Sequence, residues 1–313
     1  MALELPPYGF MNAENVSFLK RTPRPDAERF VLNGHIATTA EYEQWLKDLA
    51  TEMSDFLWPI YTPGVGWQGS AVGTAMDLTR ADLRIMLALR PYFDQAIKGG
   101  GELLARHGDA WKREDDAPPG PSFDSYGHNQ IPTLPQSQDS ELARAIFSGG
   151  RALAKPLSQR LKDQFQRPRP FQVALMLNLP KEEMIVQASK SAITPSMISG
   201  HCIQGTMALA EVLNGFNTVL QPTPGLVDDL ARFLLDTGDR RVFAWLHYPS
   251  DNLSSWFTAF RLCTPIYGGR AQAVRDIIWS SIKAHSKVYE AMKAEGSVYV
   301  QPLAKLEAAA GGG

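Results

Sequence analysis

Cysteine is scarce in this chain, because only Cys202 and Cys263 occur among its 313 residues. A disulfide framework therefore does not stabilise the fold, and each cysteine is interpreted as a small buried hydrophobic residue. The sequence also lacks a His-Glu-x-x-His motif, a Cys-x-x-Cys pair and a cluster of acidic residues of the kind that holds two metal ions. A Gly-rich phosphate loop of the Walker type is missing too, so an NTP-driven enzyme has no support.

Long apolar runs and a strong net charge are absent as well. Uninterrupted apolar stretches such as 173–177 and 242–246 fall far short of the ~20 residues that cross a bilayer. The formal net charge of −2 argues against nucleic acid as a partner. The N-terminus lacks the basic start and apolar run of a secretory signal. We therefore expect a soluble protein without a transmembrane segment, cytoplasmic as written, or periplasmic or secreted if a leader was removed.

Signals for α-helices dominate the chain, and no convincing alternation of apolar and polar residues indicates a strand. Thr38 and Glu41 have the spacing of a capping box, which predicts a helix from there toward Leu57. Apolar residues at helical spacing and Gly or Pro boundaries predict further helices at about 79–97, 102–112, 139–166, 200–214, 225–246, 250–263 and 270–294. The predicted fold class is all-α, a helical bundle that brings the chemical motifs together at one end.

The chain is interpreted as a single domain with parts of different composition. In order these are an N-terminal arm (1–37), accessory helices with a long loop (38–136), a core that carries the chemical motifs (137–295) and a vector-derived tail left out of the fold (306–313). The loop is marked by Pro, Gly, Ser and Asp over 115–136. Its Tyr126 and His128 are either substrate contacts in a lid or parts of a simple surface connection.

The first chemical motif contains Lys162, Arg169 and Pro170. The seven-residue separation would return Lys162 and Arg169 to one face of a helix after two turns. Pro168 and Pro170 oppose a continuing helix, so the helix should stop near Arg167 and present Arg169 from a rigid, extended exit. Two cations can then meet one anion, the arginine as a planar fork and the lysine as a point charge. The alternative is a basic helix end that serves the helix dipole or solvent.

The second motif is Ser199-Gly200-His201, at the start of a helix expected to end near Asn214-Gly215. Unpaired N–H groups and the positive end of the macrodipole make a helix N-terminus receptive to an anion. Gly200 would let the backbone come close to that anion, and His201 would stand at the rim of the site. The alternative is a histidine that packs near a helix start.

The third motif contains Arg241, His247 and Asp251, and Pro249 is well suited to begin a helix between the last two. A carboxylate one turn from an imidazole can accept the proton of one ring nitrogen and leave the other free as a nucleophile. The alternative is that Asp251 or Ser250 caps the helix beside a buried histidine.

All three motifs in this order should arise by chance on the order of once in ten thousand sequences or less. The pattern resembles the type 2 phosphatidic acid phosphatase superfamily, which also includes class A nonspecific acid phosphatases and vanadium-dependent haloperoxidases. Its motifs are K-x6-RP, PSGH and SR-x5-H-x3-D, and the match covers about ninety residues. Ile198 stands where the family has proline. Arg240 replaces a serine, and this extra cation either reinforces an anion site or points to solvent.

The resemblance implies the superfamily's helical bundle and a metal-independent acid phosphatase. His247 would attack phosphorus and form a phosphohistidine, Asp251 would orient it, and His201 would protonate the leaving group and then activate water. The non-bridging oxygens of a small phosphorylated substrate or inorganic oxyanion would be held by Lys162, Arg169, Ser199, Gly200 and Arg241. No cofactor is needed in that reaction.

Two other functions remain open. In a haloperoxidase the same residues would hold vanadate, with His247 bonded to vanadium, and peroxide would oxidise halide. Haloperoxidases of the family tend to have histidine or phenylalanine where this chain has Thr194, which favours the phosphatase. The changes at Ile198 and Arg240 also fit a catalytically silent helical protein that retains an anion site. The leaving group and a homo-oligomeric state are left open.

Overall fold

The computed structural model describes residues 30–56, 72–91, 154, 156–179, 194–219 and 225–311. These residues are predominantly helical, and their one sheet has two strands, which confirms the all-α prediction at this level. The predicted helix at 102–112 and the long loop with Tyr126 and His128 lie outside the described residues. Most of the predicted N-terminal arm, residues 1–29, does so too.

A short antiparallel hairpin precedes the first helix, and the sequence analysis missed it. Strand β1 (Val31–Leu32) pairs with β2 (His35–Ile36). Asn33 and Gly34 join them with φ angles of 51° and 84°. Positive φ at both turn residues is what an Asn-Gly hairpin loop favours, so this dipeptide was the signal for the turn.

The first two helices differ in how well their starts were predicted. Helix α1 (Thr39–Phe56) follows the predicted capping box, in which Glu41 N–H donates to Thr38 Oγ1 at 3.3 Å and Thr38 N–H donates to Glu41 Oε2 at 2.8 Å. Helix α2 (Val72–Ala88) begins seven residues before the predicted start at Thr79. Thr79 is fully buried inside α2, so its resemblance to an N-cap residue misled the prediction.

Helix α3 (156–165) ends where the prolines predict, and Gln166 leaves it with a positive φ of 49°. Arg169 is extended, at φ −71° and ψ 154°, and helix α4 (Pro170–Met176) begins directly after it. The rigid, extended exit is therefore confirmed. The prediction that Lys162 and Arg169 share one helix face is wrong, because the chain leaves the helix between them.

Helices α5 (Gly200–Val219) and α6 (Leu226–Phe243) pack against each other at very close range. A Cβ atom at Gly205 would lie 2.3 Å from the Leu234 carbonyl oxygen, and one at Gly238 would lie 2.8 Å from Cys202 Sγ. Glycine at these two positions is what lets the helices approach. The predicted end of α5 at Asn214-Gly215 is wrong, since Gly215 lies inside the helix.

The C-terminal part contains helices α7 (Pro249–Tyr267), α8 (Ala271–His285), α9 (Lys287–Glu295) and α10 (Ser297–Gly311). The single helix predicted for 270–294 is broken at Ser286, whose side chain accepts the Tyr289 N–H at 3.1 Å and caps α9. Residues 306–313 were predicted to be a tail outside the fold. Residues 306–311 complete α10, with Leu306 and Ala310 buried.

Helix α7 is the centre of the bundle, because it contacts α1, α2, α5, α6, α8, α9 and α10. Every residue from Pro249 to Phe260 is buried. Any polar side chain at the start of α7 must therefore find partners within the protein. None of the helices that the structure describes is long and apolar enough to span a bilayer.

Candidate active site

The site forms where α6 ends and α7 begins. After Phe243 the chain turns at Trp245, which has a positive φ of 60°. The next two N–H groups, those of Leu246 and His247, both donate to the Arg241 carbonyl oxygen, at 3.0 and 3.2 Å. This tight turn fixes the backbone of His247 over the last turn of α6. As predicted, Pro249 then begins α7.

The two ring nitrogens of His247 have different partners. Nδ1 lies 3.1 Å from Asp251 Oδ2, and Nε2 lies 2.9 Å from Arg169 Nη1. A carboxylate only accepts and a guanidinium only donates, so Nδ1 carries the proton and Nε2 carries the lone pair. Burial, and next the charge of Arg169, hold the pKa of His247 well below its ordinary value. The imidazole is therefore neutral, as a nucleophile must be.

Asp251 is fully buried, and both of its carboxylate oxygens accept hydrogen bonds. Oδ2 also accepts from the Ser196 hydroxyl and from the Tyr248 N–H at 3.0 Å, and Oδ1 accepts from Arg167 Nη1 at 2.7 Å. Burial alone would raise the pKa of Asp251, but the charge of Arg167 and the hydrogen bond from His247 outweigh it and hold that pKa below its ordinary value. Asp251 thus accepts the N–H of Tyr248 at the start of α7 and also lies against His247 Nδ1, so both predicted contacts are present; its part in a reaction stays a prediction.

Lys162 and Arg169 come together beside His247. Lys162 Nζ donates to the carbonyl oxygens of Pro195 and, at 3.1 Å, Ser196. Arg169 Nε donates to the Thr194 carbonyl oxygen at 2.7 Å. Burial, and next the charge of Arg169, hold the pKa of Lys162 well below its ordinary value. The segment 194–196 thus supplies neutral acceptors to two buried cations.

Arg241 is the third predicted cation. It is fully buried, and its charge also lowers the pKa of Lys162. Like charges crowded into a buried space repel one another, and a bound anion relieves that repulsion. The structure therefore brings together the cations of the first and third motifs.

The second motif lies at the start of α5. Ser199 Oγ accepts the Cys202 N–H at 3.3 Å, and the Ser199 carbonyl oxygen accepts the Ser255 hydroxyl at 3.0 Å. A Cβ at Gly200 would make only an ordinary 3.5 Å contact with Ser158 Oγ, so packing does not require glycine there. His201 lies in the first turn of α5 with a partly exposed side chain, and its place at the rim of the site stays a prediction.

The two departures from the family motifs are both buried. Ile198 is fully buried in the hydrophobic core. Arg240 is 1% exposed, and its Nη2 donates to Thr237 Oγ1 at 3.3 Å. The alternative in which Arg240 points to solvent is therefore wrong.

Four residues around Asp251 were not predicted from the sequence, namely Asp82, Arg167, Ser250 as a side-chain donor, and Tyr299. Arg167 was predicted only as a helix end. The repeated Arg-Pro pair at 167–170 was the one local signal for this network, because a second buried arginine beside an anion-binding motif needs an acidic partner of its own. Asp82 and Tyr299 lie on α2 and α10, far from every motif in sequence.

Within the described residues, no group of three or more His, Cys, Asp or Glu is placed to hold a metal ion. No protein-family model matches the chain, and neither does any curated protein or solved structure. The interpretation of the site therefore depends on its own geometry and on the sequence motifs.

Proposed function

We propose that the protein is a metal-independent phosphomonoester hydrolase, an acid phosphatase with the motifs and helical bundle of the type 2 phosphatidic acid phosphatase superfamily. The observation that carries this proposal is the state of His247. Its Nδ1–H is held by Asp251, and its unprotonated Nε2 faces the Arg169 guanidinium at 2.9 Å. A buried neutral imidazole with its lone pair beside a cation is arranged to attack an electrophile that carries negative charge.

The reaction proceeds in two displacements. His247 Nε2 forms a bond to phosphorus as the bond from phosphorus to the leaving oxygen breaks, and His201 gives that oxygen a proton. Water then attacks the phosphohistidine while His201 accepts its proton, so His247 Nε2 leaves and inorganic phosphate is released. The partial exposure of His201 suits a group that must meet both the leaving group and water.

Charge stabilisation comes from the buried cations. Lys162, Arg169 and Arg241 hold the non-bridging oxygens, and the N-terminus of α5 at Ser199-Gly200 adds backbone N–H groups. Arg169 Nη1 donates to His247 Nε2 at 2.9 Å. Phosphate entry exchanges this hydrogen bond for one to a phosphate oxygen, which frees the lone pair at the moment when it is needed.

The test is hydrolysis of an aryl phosphate from about pH 4 to about pH 8 in the presence of a chelator, with vanadate as a competitor. We expect turnover that vanadate blocks and that His247→Ala abolishes. His285→Ala is the matched control, because His285 pairs with Asp228 at the surface. Full activity of His247→Ala would overturn the mechanism. Vanadate binding without phosphate turnover would instead indicate a haloperoxidase, if halide is then oxidised with peroxide, or a silent anion binder.

A further inference from the structure

The Asp251 oxygen that does not contact His247 belongs to a second buried network. Arg167 Nη1 donates to Asp251 Oδ1 at 2.7 Å and to Ser250 Oγ at 2.9 Å, and its Nη2 donates to Asp82 Oδ2 at 3.0 Å. Asp82 Oδ1 accepts the Ser250 N–H at 3.0 Å and the Tyr299 hydroxyl at 2.5 Å. One guanidinium therefore bridges two carboxylates from α2 and α7, and α10 reaches the same carboxylate on α2.

We propose that Arg167 is a positioning residue for His247. It holds Asp251 Oδ1 so that Oδ2 stays aligned with His247 Nδ1, and Asp82 with Tyr299 fixes Arg167 in turn. The inference depends on the proposed function, in which His247 is the nucleophile. It adds α2 and α10, which carry none of the sequence motifs, to the support of the reacting group.

The geometry separates this role from phosphate binding. The Arg167 guanidinium lies over the Tyr248 ring, 3.6 Å from its centroid, and the residue is 2% exposed. Both terminal nitrogens already donate to carboxylates. Arg167 is therefore already paired with negative charge. Arg169, two residues later and equally buried, instead donates to neutral acceptors, which are the Thr194 and Leu246 carbonyl oxygens, Thr194 Oγ1 and His247 Nε2.

The geometry also explains why an arginine is needed. A planar fork can donate to two carboxylates in fixed directions, whereas an ammonium group is a single point charge. The hydroxyl of Ser250 links the same groups, because it accepts from Arg167 and donates to Asp82. Without the fork, Asp251 would keep its contacts on Oδ2 but would lose the constraint on the rotation of its carboxylate.

The pH dependence of the site involves every charged group near the pair. Among the described residues, the titratable groups that interact with His247 or Asp251 are Asp82 of α2, Lys162, Arg167 and Arg169 around the end of α3, Cys202 of α5 and Tyr248 before α7. Arg241 of α6 acts on Lys162, and Tyr299 of α10 acts on Asp82. Among these, Arg167 is the cation that most lowers the pKa of Asp251. Removal of its charge raises that pKa and leaves more negative charge beside His247, so activity is lost at a higher pH on the acid side.

The experiment compares Arg167→Met and Arg167→Lys with wild type in the full chain. It measures kcat and KM for an aryl phosphate across pH, and the histidine tautomers by ¹⁵N NMR. We expect kcat of Arg167→Met to fall roughly 10- to 100-fold, by analogy with the loss of a partner that orients a metal-binding histidine, while KM changes little. The acid limb of the pH profile of kcat should move to higher pH, and the population of the Nδ1–H tautomer of His247 should decrease. Arg167→Lys keeps the charge and recovers part of kcat.

Arg275→Met is the matched control, because Arg275 is a largely buried arginine that donates to Thr264 and Gln272, away from the site. If Arg167→Met only unfolds more easily, with kcat, acid limb and tautomer as in wild type, the inference is wrong. If Arg167→Met does not fold, Arg167→Lys provides the test. The inference predicts that Arg167→Lys has a lower kcat than wild type at unchanged KM, and a wild-type kcat would contradict it. If wild type has no turnover but Arg167→Met shifts the tautomer, the proposed function fails and the positioning role stands.

Discussion

The His247–Asp251 pair has two sides, and a different arginine serves each. On the carboxylate side, Arg167 donates to the carboxylate oxygens of Asp251 and Asp82. On the imidazole side, Arg169 donates to the carbonyl oxygens of Thr194 and Leu246 and to the neutral ring of His247. The two arginines are separated by one proline, yet one faces negative charge and the other faces neutral acceptors.

This difference separates a cation paired with carboxylates from one paired with neutral acceptors, and in the proposed function the second one meets the phosphate. A buried guanidinium between two carboxylates is compensated, and removal of it exposes like charges to each other. Lys162 on the imidazole side has its pKa held down by burial and by Arg169 and Arg241. Arg169 and Arg241 therefore disfavour the charge of Lys162 on that side, which is the side on which His247 Nε2 lies.

The largest effect on activity is expected where the two sides are connected. Asp251→Asn keeps the shape of the side chain but can offer an N–H to His247 Nδ1, which selects the wrong tautomer. We expect kcat to fall about 10³- to 10⁴-fold, by analogy with other carboxylates that orient a catalytic histidine. Steady-state kinetics with an aryl phosphate would check this, and the ¹⁵N spectrum should show the proton moved to Nε2. If Asp251→Asn kept a kcat near that of wild type, Asp251 would not control the tautomer of His247 that reacts.

The next effect separates the two arginines. Arg169→Met removes a proposed phosphate ligand, so kcat/KM should fall about 10²- to 10³-fold, while the free energy of unfolding should change much less because repulsion with Lys162 is relieved. Arg167→Met should instead lower the free energy of unfolding by about 3–5 kcal/mol, since Asp82 and Asp251 lose their shared cation. Urea unfolding of both variants checks the contrast.

Arg275→Met again serves as the control for the loss of a buried arginine outside the site. If Arg169→Met lowered the free energy of unfolding more than Arg167→Met, the assignment of Arg167 as the structural cation and Arg169 as the ligand-binding cation would be wrong.

A smaller effect concerns stability at acid pH. The pKa of Asp251 in the folded protein lies below its ordinary value, so its ionised form stabilises the fold above the unfolded-state pKa of about 3.9. That contribution is lost as pH falls further. Asp251→Asn should therefore be less stable than wild type near neutral pH, and the gap should narrow below about pH 4. Thermal unfolding at the two pH values measures the gap, and a gap that widens at low pH would contradict the assigned charge state.

The smallest effect tests a single hydroxyl. Ser196 donates to Asp251 Oδ2 and its carbonyl oxygen accepts from Lys162. Ser196→Ala removes only the first contact, so the pKa of Asp251 should rise and kcat should fall a few-fold, with KM unchanged because the carbonyl remains. Ser281→Ala is a suitable control, since that hydroxyl donates within α8 to Ile277. A large rise in KM would show that Ser196 acts on the anion rather than on the carboxylate.

The motifs predicted the local parts of the site well, for physical reasons. Pro168 and Pro170 disfavour a helix that continues through them and favour an extended residue before each, so the end of α3 and the extended Arg169 could be predicted. The four-residue spacing of His247 and Asp251 brings them within hydrogen-bond reach at the start of a helix. The same local reasoning failed for Asn214-Gly215, because tertiary packing carried α5 past residues that often end a helix.

The support of Asp251 could not be predicted in this way. Arg167 and Asp82 are 85 positions apart, and Tyr299 and Asp82 are 217 positions apart. Contacts at such separation leave no periodic pattern, and only the packing of α2, α7 and α10 brings them together. The sequence analysis also set aside 306–313, although residues 306–311 extend the helix that carries Tyr299.

The most direct test of the central claim is to trap the covalent intermediate. The protein would be mixed with a fast-leaving aryl phosphate at low pH, quenched in alkali within the first turnovers, digested and analysed by mass spectrometry, with ³¹P NMR to identify the bond. We predict a phosphoramidate on the peptide that contains His247, absent from His247→Ala and depleted when vanadate is present. Turnover accompanied by phosphate on another residue, or by no labelled peptide together with direct transfer to water, would contradict the account.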